Sequence, residues 1–376
     1  MAGIYLHIPF CRKACNYCNF HFSTFIKLKD DVLRAMHIEI ALQSKYLEGL
    51  EIDTIYFGGG TPSFLTAGEI NSLVESIYKN YRVGTLKECT LEANPDDLSP
   101  SYLMALKSTP VDRLSIGVQS FRQEDLLFMN RAHSAAQAEA AIKTAQDVGF
   151  DNLSIDLIYG VPNLDDNAWL GNLNKVSEYG IPHLSCYALT VEQKTALHHA
   201  ILHKKTAPLD ASQAAGQFEL LMEWAGSAGY DHYEISNFAV QGKHAVHNTS
   251  YWLGVHYLGI GPAAHSYDGD TRQWNIANNA QYVQCILGQN ALKCEVEVLR
   301  EADKANEYIM TALRTMWGLD MAVFAARFNE AYSKSLNVAA MNYIDNGMMI
   351  KEGDKLILTR QGKLFADAIA SELFVD

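Results

Sequence analysis

The sequence predicts an α/β protein: a partial, TIM-like (β/α)6 barrel followed by a smaller α+β module built like a winged helix. Three observations lead there. From Gly3 to about Gly229, short β-rich runs alternate six times with longer amphipathic stretches, the pattern of repeated βα units around a parallel sheet. The residues just beyond each strand candidate are polar or glycine-rich, and in parallel barrels sites form at that carboxyl face. Beyond about Leu299 the pattern changes to short helices and then a hairpin with Gly353 and Asp354 at its turn. Six units rather than eight imply a barrel open along one side.

Taken in order, the first strand, Gly3 to Pro9, runs into a loop holding Cys11, Cys15 and Cys18. The second, Asp53 to Gly58, leads into Gly58-Gly59-Gly60-Thr61-Pro62. The third, Cys89 to Ala93, presents Glu92 and Asn94; the fourth, Arg113 to Gln119, ends on Gln119. The fifth, Asn152 to Tyr159, carries Asp156, and the sixth, His183 to Leu189, carries Tyr187 and Ala188. Helical periodicity falls between them, at Asp30 to Leu50, Ala67 to Tyr81, Ser134 to Gly149, Asp165 to Tyr179 and Asp210 to Gly229. Singly, the glycines could mark a tight turn, and Glu92, Gln119 and Asp156 could be satisfied buried polars or caps. Their joint placement at successive strand ends is what points to a ligand.

At 376 residues the chain can bury a large core, and three segments are expected: residues 1–230 as the barrel, 231–298 as an aromatic, histidine-rich connection, and 299–376 as the terminal module. With 43 acidic and 30 basic side chains the net charge is −13, which repels phosphate backbones, so nucleic acid is not an expected partner. The opening MAGIYLHIPF lacks a basic segment followed by a long apolar run, and no stretch approaches a membrane span. A cytoplasmic location is expected. Seven cysteines, three of them bunched, suit a reducing compartment better than a disulfide framework, and Cys89, Cys186, Cys285 and Cys294 read as plain structural thiols.

The bunched three are spaced C-x3-C-x2-C, with Phe20 where a C-x3-C-x2-C-x-C run would place a fourth. A loop of this length can wrap a cubane 4Fe-4S cluster, and three ligands leave one iron open for chemistry. A partial zinc knuckle or a chance clustering of buried thiols is the alternative. The histidines His198, His199 and His203 lie at helical spacing, but beside Lys204 and Lys205 they read as a solvated helix face.

The cysteine loop resembles that of the radical S-adenosylmethionine (SAM) superfamily, in which the open iron chelates SAM. The ordered series YLHIPFCRKACNYCNF, YFGGGTPS, LEANPDDL, RLSIGVQSF, MNRAH, IDLIYGVP, HNTSYW and LGIGPAAHSY is similar to one branch of it: the oxygen-independent coproporphyrinogen III oxidases and their relatives, the haem chaperones of the HemW type. The resemblance implies a radical SAM barrel, with Tyr5, Gly59 and Glu92 contacting SAM. It also implies that Gly60, Thr61, Gln119, Arg131, Asp156 and Ala188 match positions lining a second SAM site in the oxidases. Arg131 could pair with a carboxylate in a bidentate fork; a surface ion pair is the plainer reading.

HNTSYW resembles the haem-associated H-N-x-x-Y-W element of the chaperones. It implies His247 as axial ligand, with Asn248, Tyr251 and Trp252 around the macrocycle and His244, His256 and His265 in reserve. The competing view is that His247 and Asn248 hydrogen-bond the barrel edge while Tyr251 and Trp252 fill core. In the terminal module the candidate recognition helix, Asn337 to Gly347, holds no Lys or Arg, so it reads as a lid or docking surface.

Two functions follow from the resemblance. One is a haem chaperone that carries haem to a respiratory acceptor, possibly at the membrane; the other is a coproporphyrinogen III oxidase acting in porphyrin biosynthesis. Phe20 at the fourth cysteine position, a start only ten residues before Cys11, and the HNTSYW element all favour the chaperone. Productive SAM cleavage and a homodimer stay open.

Overall fold

The computed structural model describes all 376 residues. Six parallel strands pair in chain order: β1 (Ala2–Ile8), β2 (Ile52–Gly59), β3 (Val83–Ala93), β4 (Arg113–Gln119), β5 (Leu153–Tyr159) and β6 (His183–Ala188). Helices α1 (Lys29–Leu42), α2 (Ala67–Asn80), α3 (Pro100–Leu106), α4 (Gln123–Phe128), α5 (Ala135–Asp147), α6 (Asp166–Glu178), α7 (Ala196–Leu202) and α8 (Ala211–Ser227) alternate with them. The strands are nearly continuous in buried residues, Ile4, Leu6 and Ile8 in β1 and Leu114, Ile116 and Val118 in β4, because a parallel sheet covered on both faces has no solvent side. Local signals agree with the starts of the helices: Thr66 with Glu69 forms a capping box on α2, Ser134 with Gln137 one on α5.

The differences from expectation are local. Helix α1 stops at Leu42, and the chain turns through Gly49 at φ +81°, which no helix continues. Strand β3 starts at Val83, six residues early, in a half-exposed polar run that carries little strand signal. The short helices α3 and α4 were not expected at all.

Residues 231–298 extend both edges of the sheet. The hairpin β7 (Tyr230–Glu234) and β8 (Asn237–Val240) adds to β6, while β9 (Tyr257–Ile260) runs parallel to β1 and continues into β10 (His265–Tyr267), β11 (Thr271–Asn275) and β12 (Cys294–Val298). The result is one twelve-stranded sheet whose ends do not pair with each other, so the barrel stays open. Helix α10 (Asn279–Gln289) follows β11 and packs on α1.

Glu39 of α1 ties this extension to the barrel. It is buried and accepts from Gly261 N (2.8 Å), Asn275 Nδ2 (2.6 Å), the Tyr282 hydroxyl and Gln43 Nε2 (3.5 Å). Removing the acceptor strands these donors. Glu39→Ala is therefore expected to lower the unfolding free energy by about 3 kcal/mol or more in urea titrations.

Helix α9 (Val246–Trp252) plugs the amino-terminal end of the barrel. The Glu88 carboxylate accepts from Val246 N (2.7 Å) and His247 N (3.1 Å), capping the helix, and lies 3.9 Å from the buried Arg113. His247 is 1% exposed, with Nδ1 hydrogen-bonded to Thr54 Oγ1 (2.8 Å) and Nε2 to the Tyr251 hydroxyl (2.8 Å). Gly3 must be glycine here, since a Cβ would sit 2.9 Å from Thr54 Oγ1 and 3.0 Å from the imidazole.

Burial, with Arg113 nearby, lowers the His247 pKa from 6.5 to about 3. The folded chain thus keeps it neutral where the unfolded chain protonates it. Its contribution to stability is present above about pH 6.5 and is lost as pH falls toward 3, by about 1.4 kcal/mol per unit. Urea unfolding between pH 7.5 and 5 should show a shallower acid slope for His247→Gln than for the wild type.

The terminal module consists of α11 (Glu301–Leu313), β13 (Leu319–Asp320), α12 (Met321–Arg327), α13 (Glu330–Asp345), the hairpin β14 (Met349–Glu352) and β15 (Lys355–Leu358), α14 (Arg360–Lys363) and α15 (Ala366–Glu372). It has its own core around Ile309, Phe324, Leu336 and Ile369. Arg314 fixes it to the barrel through Glu234 (3.0 Å), and Arg360 does so through the Glu219 carbonyl (2.6 Å).

Candidate cluster and SAM site

The carboxyl ends of β1 to β5 surround a cavity of about 150 Å3. Cys11, Cys15 and Cys18 line it together with Gly59, Gly60, Thr61, Glu92, Gln119, Arg131 and Asp156. The cysteine loop is held there by backbone-directed bonds. Asn16 Nδ2 donates to Phe128 O (2.8 Å), Asn130 Nδ2 to Ala14 O (2.8 Å), and Arg12 pairs with the buried side chain of Asp97 (2.9 Å). The MNRAH segment therefore serves as the loop's backing.

Two sulfurs have donors aimed at them. Thr61 Oγ1 lies 3.3 Å from Cys11 Sγ, and Arg131 Nη1 lies 3.2 Å from Cys15 Sγ. Asn94 links the two, donating to Thr61 Oγ1 (3.2 Å) and accepting from Arg131 Nη2 (2.7 Å). Burial is the main cause that pushes the Cys11 thiol up to about 11, with Thr61 opposing it.

The donor set fits an iron-sulfur cubane. Cys11, Cys15 and Cys18 border this one cavity, and no fourth cysteine or histidine is among its lining residues. Thiols spread around one cavity, with N–H and O–H groups turned to their sulfurs, suit a cluster whose ligands bind separate irons.

The carboxylates are in unusual states. Glu92 accepts from the Tyr56 hydroxyl (2.8 Å) and Gly59 N (3.1 Å), yet burial raises its pKa to about 7, with Asp156 adding to the shift. Burial raises Asp156 to about 6, against Ser185 and the two arginines Arg113 and Arg131. Gln119, at the end of β4, adopts φ +67°, a costly conformation for a side-chain-bearing residue and one that collects at functional sites.

Several expected residues have other or additional roles. Gly60 is needed for backbone packing, since a Cβ would meet Ile8 O and the Phe10 backbone at 2.8 Å. Gly59, at φ +107°, is likewise pressed against the His7 ring. Arg131 pairs with no carboxylate; it is buried against sulfur and carbonyl oxygen, and its Nε has no acceptor. Ala188 lines not the small cavity but a cleft of about 770 Å3 opening above it, which shares Cys18, Glu92, Gln119 and Asp156 with the cavity and is roofed by Lys363 to Ala368. Tyr5 lines a third cleft, of about 740 Å3 between the β1 edge and α11, while its ring stacks on Tyr56, the donor to Glu92.

His247, expected as a haem ligand, is enclosed, with its two ring nitrogens hydrogen-bonded to Thr54 Oγ1 and the Tyr251 hydroxyl. Asn248 is half-buried in the same plug, whereas Tyr251 and Trp252 reach the rim of the 740 Å3 cleft. Phe20 lines all three spaces, and Asn19 the two larger ones.

Residues 5–176 match the family model of the radical SAM superfamily, and residues 299–365 that of the HemN C-terminal domain. The heme chaperone HemW of Mycobacterium tuberculosis is 32% identical over 99% of this chain and 94% of its own length. The chain belongs to the HemW family. HemW of Bacillus subtilis is 30% identical over 98% of both chains. The coproporphyrinogen III oxidase HemN of Escherichia coli superposes with a TM-score of 0.85 over 100% of this chain and 90% of its own, at 23% identity, a likeness of fold. No helix of this HemW-family protein is long and apolar enough to cross a membrane.

Proposed function

We propose that this protein is a haem chaperone of the radical SAM type. It holds a 4Fe-4S cluster on Cys11, Cys15 and Cys18, binds SAM beside it, and carries haem to a respiratory acceptor. The observation that carries the first part is the set of three thiols facing one cavity with Glu92, Asp156 and Arg131. Full-length likeness to HemW chaperones supports the cargo.

When bound, such a cluster supplies an iron open to SAM and an electron for its sulfonium. The chain's own residues prepare the place. Thr61 and Arg131 donate to sulfur and stabilise its negative charge. Glu92 and Asp156 give the cavity two carboxylates that ionise near neutral pH, suited to a ligand carrying an ammonium and a sulfonium. Arg131 Nε, unsatisfied and buried, suits the ligand's carboxylate, and Gly59 and Gln119 complete the walls.

Anaerobic reconstitution with iron and sulfide, followed by EPR of the reduced protein, tests this. Adding SAM should change the cluster signal; an unchanged signal would remove SAM from the open iron. The 770 Å3 cleft directly above the cavity favours a second reading, radical chemistry on a substrate held there. Anaerobic conversion of coproporphyrinogen III by the reconstituted protein would establish that reading instead.

A further inference from the structure

The long sheet has two ends, and only one of them is closed. At the β7 end the chain leaving α11 covers the strand: Ile235 N donates to Arg314 O (3.0 Å) and Met316 N to Tyr233 O (3.0 Å), with Thr315 paired against Glu234. At the other end β12 is the last strand, and no segment of the chain pairs with its outer side.

Strand β12, Cys294-Glu295-Val296-Glu297-Val298, runs opposite Thr271 to Asn275 of β11 without a bulge. Its flanking bonds fix which backbone groups turn inward. Leu299 N donates to Asp270 O (2.9 Å), and Ile276 N donates to Lys293 O (3.3 Å). Inward- and outward-facing residues alternate along an antiparallel ladder, so Glu295 and Glu297 bond to β11 in phase with these neighbours. The N–H and C=O groups of Cys294, Val296 and Val298 therefore point away from the sheet. Proteins guard such an edge with charges, proline, a bulge or a covering segment. Here the charges alone are present.

Those charges decide what can pair. Glu295 and Glu297 share one face of the strand; Val296, 57% exposed, and Val298, 74% exposed, share the other. Two cations nearby are committed elsewhere: Arg272, directly across from Glu297, is held by Glu307, and Arg300 by Asp303. A second copy paired along the whole strand, centred on Val296, would set Glu295 against Glu297 twice, and like charges opposite each other destabilise a ladder. A strand with Lys or Arg at those positions gains two ion pairs instead, and its intervening apolar residues cover Val296 and Val298.

We propose that β12 is a docking edge for a partner protein, which adds to it an extended, antiparallel segment of alternating basic and apolar residues. Main-chain pairing supplies the affinity, and the alternation of glutamate and valine supplies the selection. The surface is separate from the cluster cavity and from the question of cargo.

The test uses the full-length protein and a short, end-capped fluorescent peptide of alternating Lys and Val, followed by anisotropy. This peptide should bind, whereas a Glu–Val peptide and a Lys–Val peptide N-methylated at alternate residues should not. Binding should slow amide hydrogen exchange at Val296 and Val298 and leave Glu295 and Glu297 unchanged. Val296→Pro removes an outward N–H without touching a bond to β11, and should weaken binding about tenfold or more. Glu295→Lys combined with Glu297→Lys should reverse the choice, so that the Glu–Val peptide binds. Both glutamates are exposed, so circular dichroism should report an intact fold in that variant. Absence of binding by the Lys–Val peptide would overturn the proposal, and equal binding of its N-methylated form would reduce the effect to charge attraction without strand addition. A dimer in sedimentation that Val296→Pro dissolves would give the edge to a second copy and overturn it as well.

Discussion

Cys15→Ala is expected to abolish the cluster: after reconstitution the variant should carry no more iron and sulfide than background, with no visible charge-transfer band. Each of the three thiols would hold a different iron, so losing one leaves a cubane with two open corners in a solvent-accessible loop. The loop itself should survive. Its bonds from Asn16, Asn130 and Arg12 do not involve the thiol, so the melting temperature of the apo protein should move little. Cys285→Ala, a half-buried thiol on α10 outside the cavity, is the matched control and should retain a full cluster. Retention of the cluster in Cys15→Ala would show that another residue supplies the ligand.

Glu92→Ala is expected to weaken SAM binding by about 2–3 kcal/mol, roughly 30- to 150-fold, in anaerobic calorimetric titrations of the reconstituted protein. Glu92 is the carboxylate held by Tyr56 and Gly59 at the cavity wall, and a cationic ligand loses its charge partner without it. The effect carries a pH signature. Because burial raises the Glu92 pKa to about 7, the group is largely protonated below neutrality, and a cation binds the ionised form. Wild-type affinity should therefore rise as pH increases through 7, and Glu92→Gln should flatten that rise. The folded chain alone follows the opposite trend: a raised carboxyl stabilises below its unfolded value of 4.5, and that contribution is lost as pH rises through 7.

The barrel was legible because its strands are long, apolar and spaced by helices; β4 runs from Arg113 to Gln119 as expected, and the others differ mainly at their ends. The edge strands β7 to β12 were not. They are three to five residues long and interrupted by glycines and histidines, so nothing in the chain says which sheet edge they join. The cluster loop was legible from spacing alone. The functions of Thr61 and Arg131 were not, since no spacing shows that a threonine 50 residues away and an arginine 116 residues away from the cysteines they meet would aim at their sulfurs. Nor does a helix of seven residues announce which way it faces. His247 points into the base of the barrel because Glu88 caps α9 there, a contact across 159 residues.

Phe20 stands where a fourth cysteine was sought, and its 67% exposed ring is a common wall of the cluster cavity and both larger clefts. A ligand that fixes the rotamer of this ring in one compartment alters the boundary met in the other two. Thermodynamic reciprocity then requires that whatever factor SAM imposes on haem affinity, haem imposes on SAM. One aromatic side chain is thus the physical element through which occupancy of one space would be felt in the other two.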